Sequence, residues 1–265
     1  MRKVLSILLC ILMFVSVCPV AVLAVDGGDG SSEDLPSSAI AISNVDELVM
    51  ICNEYPADGY YYLTGDIDLS YALGEYGDYY NGGKGWEPIG NKNTPFEGTF
   101  DGRGYTIKGL SINRPEQDYI GLFGDTSGAT IKNCKLDIVK IVGRNLVGGF
   151  AGLSYNSTFG NCETLGGTIS SSSSVRSYSG GMVGYTDGTV TISNCTNNGA
   201  VSSSSYYSSS YSGGMVGYAN ATATIINCTN NGAVSSYSSF SGGMVGYANA
   251  TATIINCTNN GAVSS

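Results

Sequence analysis

Large apolar residues recur along the second half of the chain in a fixed phase. Ile131, Phe159, Ile192, Ile225 and Ile254 each stand three positions before a cysteine, namely Cys134, Cys162, Cys195, Cys228 and Cys257. The residue directly before each cysteine is always asparagine: Asn133, Asn161, Asn194, Asn227 and Asn256. Between the apolar residue and the asparagine the chain varies freely, with Lys132, Gly160, Ser193, Ile226 and Ile255. Constant positions alternating with free ones predict short half-buried strands, constant side inward. A Gly-x-x-Gly pair keeps the same beat at Gly121/Gly124, Gly149/Gly152, Gly181/Gly184, Gly214/Gly217 and Gly243/Gly246, in steps of 28, 32, 33 and 29 residues. The last unit, Ser241 to Ser265, repeats Ser212 to Ser236 letter for letter.

A period near 30 residues implies stacked supersecondary units. Each unit holds glycine pairs, β-branched runs and Asn-Gly turns, and no stretch long enough in helix formers to make a helical repeat. Three short strands are visible per unit: Gly-Gly-Met-Val-Gly-Tyr, Ala-Thr-Ile-Ile-Asn and Gly-Ala-Val. The expected fold is all-β, one coil of a three-faced β-solenoid per unit. Six or seven coils at ~4.8 Å each would give a rod of roughly 30 Å. Ile and Val ladders would fill it. The asparagines would stack at an inward bend, and the glycines would allow tight corners and close approach of facing walls.

Upstream the pattern changes. Val45, Leu48, Val49 and Cys52 fall at helical spacing, and Ser43 with Asp46 reads as a capping box, so a capping helix is expected over 43–54. Residues 60–70 alternate apolar and polar as a strand, and Asp101-Gly-Arg-Gly104 is a turn between two more strands. Residues 39–120 are therefore read as a cap with the first coils, and 121–265 as the repeat array. The bare strand-ended last coil leads us to expect a truncated array, or end-to-end self-association through that coil. Residues 1–24 read as a secretory signal, with Arg2 and Lys3 before an apolar run and Val22-Leu23-Ala24 at its end. Residues 25–38 read as a flexible linker.

Composition narrows the partners. The chain has 12 basic and 21 acidic residues and no histidine, and from Gly166 onward only Arg176 and Asp187 are charged. That excludes the basic surface nucleic acid requires. Without histidine, Ser-His and Cys-His catalysis fall away, and so do histidine-ligated metal sites. No cofactor or metal is expected. The in-phase cysteines read as a ladder of free thiols, because stacked coils hold them in one orientation, slightly too far apart for a relaxed bridge.

The upstream motifs, Tyr60 to Ser70, Trp86-Glu-Pro-Ile-Gly90, Phe96 to Ile107 and Gly121-Leu-Phe-Gly124, together with the later Gly-Gly-Met-Val-Gly-Tyr units, resemble bacterial surface proteins with GLUG-motif repeats. The resemblance implies a right-handed parallel β-helix and an exported, cell-surface protein. Adhesin-like proteins and stalks beside proteases carry such repeats.

Two candidate surfaces remain. Asp66, Asp68, Glu87, Glu97 and Asp101, with Arg103 or Lys108 as base, are the residues a carbohydrate-active β-helix enzyme would use. Asp at a turn also caps backbone N–H groups, and Asp66 and Asp68 flank an inward Ile67; that structural reading is the one we adopt, so no catalytic residue is assigned. The serine-rich spacers 170–179, 202–212 and 235–241 carry Tyr178, Tyr206, Tyr207, Tyr211, Tyr237 and Phe240. These six are expected to project from one edge of the rod and bind a glycan or a host surface protein. The sequence thus predicts a non-catalytic adhesin-like or stalk module.

Overall fold

The computed structural model describes residues 35–237 and 239–265, so the signal and most of the linker lie outside the described residues. Residues 36–265 form a parallel β-solenoid of about five turns, whose every strand pair in register is parallel.

One coil shows the course. Wall A is Ser177–Gly180, wall B is Val183–Asp187 and wall C is Val190–Ser193. Wall D is a bent pair, Thr196–Asn197 and Ala200–Ser205. The chain then passes to Ser210–Gly213, which lies on wall A of the next coil. Each coil therefore has four walls, not three faces. Turn number is also lower than the six or seven read from the repeats. Walls A and B hold four and five strands, while wall C reaches eight by adding Ile40–Ile42, Tyr60–Leu63 and Thr99–Asp101. At ~4.8 Å per rung that wall runs roughly 34 Å.

The wall that a three-faced coil leaves out is wall A, which arises from the serine-rich spacers. The serine-rich spacers are largely strands, not projecting loops. Ser171, Ser177, Ser179, Ser203, Ser205, Ser210, Ser212 and Ser236 are buried. Walls A and D face each other across them, and the hydroxyls pair through the gap: Ser171 Oγ with Ser179 Oγ at 2.7 Å, and Ser203 Oγ with Ser212 Oγ at 2.7 Å. Ser177 and Ser212 donate to the backbone carbonyls of Ser204 and Ser235 at 2.7 and 2.6 Å. A buried hydroxyl is tolerated when it has such partners.

The constant apolar column is inward, as its alternation predicts. Phe100, Ile131, Phe159, Ile192 and Ile225 stack in register down wall C and are buried. Ahead of them Tyr61, Phe96, Phe100 and Phe123 form an aromatic cluster with ring centroids 4.9–6.0 Å apart.

The predicted capping helix shrinks to one short helix, α1 (Val45–Met50). Its N-cap is Asn44, one residue later than expected, whose side chain accepts from Glu47 N at 2.9 Å. Glu47 reaches back to the N–H and hydroxyl of Ser43 at 2.7 and 2.8 Å. Ile51 is extended and Cys52 is left-handed at φ 65°, which ends the helix before its second turn is complete. A segment this short, rich in β-branched residues, cannot continue on propensity alone.

Candidate binding surface

Asparagines form several ladders, and the one expected to face inward does not. Asn133, Asn161, Asn194, Asn227 and Asn256 turn the corner between walls C and D at φ 52–54°. Asparagine tolerates that left-handed backbone better than most residues. Their side chains point to the outside, half-buried or exposed. Amide links run along the outer corner: Asn133 donates to Asp101 at 3.0 Å, Asn161 to Asn133 at 3.0 Å and Asn227 to Asn194 at 3.2 Å.

The inward ladder lies three residues further on. Asn197 and Asn230 are fully buried. Asn197 donates to Asn230 Oδ1 at 2.8 Å and Asn230 to Asn259 Oδ1 at 2.7 Å, while Thr164 donates to Asn197 Oδ1 at 2.6 Å. Ile107 and Leu136 occupy the same column above them, so the core passes from aliphatic to amide along its length. Each amide also donates to the carbonyl two residues on, Gly199 or Gly232, at 2.9 Å. Opposite sit the corner glycines. A Cβ on Gly181 or Gly214 would fall 2.4 Å from the Asn197 or Asn230 side chain, so the approach of facing walls expected of these glycines is set by the buried amides.

The cysteines stack beside the outer ladder. All six among the described residues are free, and Cys134, Cys162, Cys195 and Cys228 are buried. The Sγ of Cys195, Cys228 and Cys257 each lies 3.2 Å from the carbonyl two residues before it. Each also accepts the backbone N–H of the cysteine one coil above, at 3.4 Å. Burial pushes the Cys134 and Cys195 thiols well above their ordinary range and the Cys52 thiol up to about 11.

The six aromatic candidates separate into two groups. Tyr178 and Tyr211 are withdrawn into the wall, whereas Phe240, in the last coil, is 46% exposed. They stack on wall A at 5.3 and 5.4 Å, nearly parallel. A second column, Tyr185, Tyr218 and Tyr247, stacks on wall B at 5.2 Å spacing and meets the first edge-on. Together they fill the notch where walls A and B meet. Tyr178 is only 6% exposed. Tyr211, covered by Tyr178 on one face and Phe240 on the other, has no face left to stack on a sugar. Leu146 and Leu153 head the two columns in the preceding coil, and Asp125 stands above Leu153. Wall B contributes half of this double ladder. Its tyrosines were legible in the repeated Gly-Tyr dipeptide but carried no sign of their partner.

Tyr206, Tyr207 and Tyr237 do project, at 81%, 81% and 76% exposure. Tyr206 and Tyr207 stand at the tip between walls D and A, ring to ring at 4.6 Å. On the outer face of wall D beside the tips runs a shallow groove of ≈ 480 Å³, lined by Val142, Ser170–Ser172, Ser202–Ser204, Ser235, Ser236 and Tyr237.

The upstream carboxylates do not form one constellation. Asp66, on the wall D side, pairs with Lys108 at 2.8 Å and caps Thr106 N at 2.9 Å. Asp68 caps Ser70 N at 2.8 Å, and exposed Glu87 lies 3.5 Å from Arg114. Asp101, on wall C, is buried against Lys132 at 3.4 Å and accepts from Arg103 N at 2.9 Å. Glu97 lines a separate cleft with Asp58 and Tyr60. Among the described residues no three His, Cys, Asp or Glu side chains gather as metal ligands.

Comparison with known proteins fits this architecture. No protein-family model matches the chain. A crystal structure described as a "putative immunoglobulin A1 protease" from Bacteroides ovatus superposes with a TM-score of 0.59, covering 85% of this chain and 83% of that one. Its sequence identity is 20%, so the likeness is one of fold. Halomucin of Haloquadratum walsbyi is 38% identical over 173 residues, 63% of this chain and 2% of halomucin. A "Putative Gly-rich membrane protein" of Evansella cellulosilytica is 38% identical over 136 residues, 49% of this chain and 14% of that protein. The chain thus spans a small fraction of the curated relatives it matches.

Proposed function

We propose that this chain is a non-catalytic cell-surface module, an adhesin-like or stalk solenoid of the GLUG-repeat kind, which binds glycan or protein through the tips of its coils. The observation that carries the reading is the exposure of Tyr206, Tyr207 and Tyr237 at the edge of a register-locked rod. Rigid aromatic rings set among serine hydroxyls combine large contact area with adaptable hydrogen bonding. The separate pairing of Asp66, Asp68 and Asp101 supports a structural role for these carboxylates over an acid–base pair. A surface location is supported by the membrane protein among the relatives. The solenoid's likeness to a protein described as a protease, and the small share of its relatives that it spans, support a stalk or display role within a longer chain.

The test is to replace Tyr206, Tyr207 and Tyr237 together with serine in the full chain and measure binding to a glycan array and to epithelial cells. At least a tenfold loss with an unchanged circular dichroism spectrum is expected. Equal binding by the variant would sink the tip reading. Release of reducing ends from any arrayed polysaccharide would overturn the non-catalytic one.

A further inference from the structure

The groove on the outer face of wall D is a lattice of hydroxyls. Register places Val142, Ser170, Ser202 and Ser235 in one column along the axis, and Ser172, Ser204 and Tyr237 in a second. Rungs repeat every ~4.8 Å, and the columns, two residues apart along each strand, stand ~6.7 Å apart. The inward partners of these strands, Ile141, Ile169, Val201 and Val234, are buried, so the outward serines are held at fixed positions. Within the lattice, Ser204 donates to Ser172 at 3.1 Å and Ser170 lies 3.4 Å from the Ile141 carbonyl. Among the described residues, the hydroxyls of Ser202 and Ser235 make no hydrogen bond to the protein. Tyr237 stands at the end of the second column and Tyr206 at the tip just beyond Ser204.

Charge is nearly absent. Apart from Arg176 and Asp187 the chain is uncharged from Gly166 onward, and Lys140 flanks only the first rung, where the following coils carry Thr168 and Ala200. A surface without charge gives an anionic or cationic partner no compensation for its lost hydration. Serine hydroxyls at a regular spacing, those of Ser202 and Ser235 unspent, reward a partner that offers hydroxyls at the same spacing, with flat apolar faces for the bordering rings.

We propose that this groove binds a linear, neutral polysaccharide lying parallel to the solenoid axis. Its hydroxyls bridge Ser170, Ser202 and Ser235, and a ring face packs on Tyr237. The proposal rests on the binding function proposed above and names its ligand class and track.

The fold supplies its own control. Val142 already occupies the first rung of the serine column, so valine is compatible with the backbone there. Ser170→Val, Ser202→Val and Ser235→Val are combined in the full chain. Binding is measured by affinity electrophoresis in gels containing galactomannan or mixed-linkage β-glucan, with hyaluronan and polygalacturonate as charged probes. The wild type is expected to be retarded by at least one neutral polymer and by neither charged one. The triple variant is expected to lose at least tenfold in affinity, with its far-ultraviolet spectrum unchanged. Equal retardation of wild type and triple variant overturns the groove. If the Tyr206, Tyr207 and Tyr237 variant is then the one that loses binding, the tip reading survives. Retardation by charged polymers alone, or capture of protein ligands alone, also overturns the groove and leaves that reading standing. No retardation by any probe together with no binding to cells overturns both.

Discussion

The buried amide at Asn197 tests the account of what holds the later coils together. Asn197 makes four hydrogen bonds in a site closed to water: it accepts from Thr164 at 2.6 Å and Gly199 N at 3.1 Å, and donates to Asn230 at 2.8 Å and to the Gly199 carbonyl at 2.9 Å. Each is worth about 1 kcal/mol net. Asn197→Ala removes all four and leaves Asn230 Oδ1 and the Gly199 carbonyl buried without these donors. An orphaned buried acceptor costs about 1–3 kcal/mol, a penalty that overlaps the lost bonds. The variant should lose about 4 kcal/mol. Asn194, three residues earlier in the same turn, is the control. It is exposed, and its side-chain oxygen accepts the 3.2 Å link from Asn227. Asn194→Ala gives up that weak link and places alanine at φ 53°, a cost of about 1–2 kcal/mol. Asn194→Gly, free of the backbone penalty, should be near neutral. Urea unfolding followed by circular dichroism and by tyrosine fluorescence measures all three. Coincident transitions would show that the coils unfold together rather than fraying one at a time. The reasoning fails if Asn197→Ala costs less than about 1 kcal/mol, or if Asn194→Ala costs as much.

Two further predictions follow from burial. The thiols of Cys134, Cys162, Cys195 and Cys228 should resist maleimide in the native protein near neutral pH and label fully in concentrated guanidinium; disulfide-linked peptides in a mass map, or native labelling at the denatured rate, would refute the thiol ladder. Asp125, buried at the head of the wall B column, has its carboxyl raised by burial from the ordinary 3.8 to about 6, against a smaller opposing pull from Lys92. Between about pH 4 and pH 6 the folded state therefore holds more protons than the unfolded chain, so stability should fall as pH rises through that window and level off above it. At about 1.4 kcal/mol per pKa unit, discounted for partial screening, the drop should be about 1–2 kcal/mol, and Asp125→Asn should abolish it. A flat wild-type profile across pH 4 to 6 would refute the assignment.

Much of the fold is readable from the repeat itself. The column from Ile131 to Ile225 faces inward because its alternation leaves no other solution, and the Gly-Gly pairs mark the corner between walls A and B where facing walls close in. Wall A is not readable by the same rule. Its buried residues are serines, satisfied by one another and by backbone carbonyls, and a hydrophobic pattern carries no signal where the interior is lined with hydroxyls. The two asparagine ladders are exchanged for a related reason. Asn194 and Asn197 flank the same cysteine, and which faces inward depends on a left-handed corner at Asn194 that reverses the alternation. The tyrosines divide on geometry alone. Tyr211 and Tyr206 are five residues apart in one serine-rich run, yet one is locked in a stack and the other stands exposed at a tip beside Tyr207.

The in-register identity of the last two coils has a consequence for inheritance. Residues 212–236 and 241–265 are the same 25-residue string, and each inward residue of one meets its own copy in the other: Val216 on Val245, Ile225 on Ile254, Asn230 on Asn259. A coil of this kind is its own complement. Duplicating or deleting one such unit would create no new interface, only more or fewer of an interface that already exists. Gain or loss of such a unit can therefore alter the reach of the rod one rung at a time while leaving its packing chemistry unchanged, so that variation in length among descendants carries little penalty in folding.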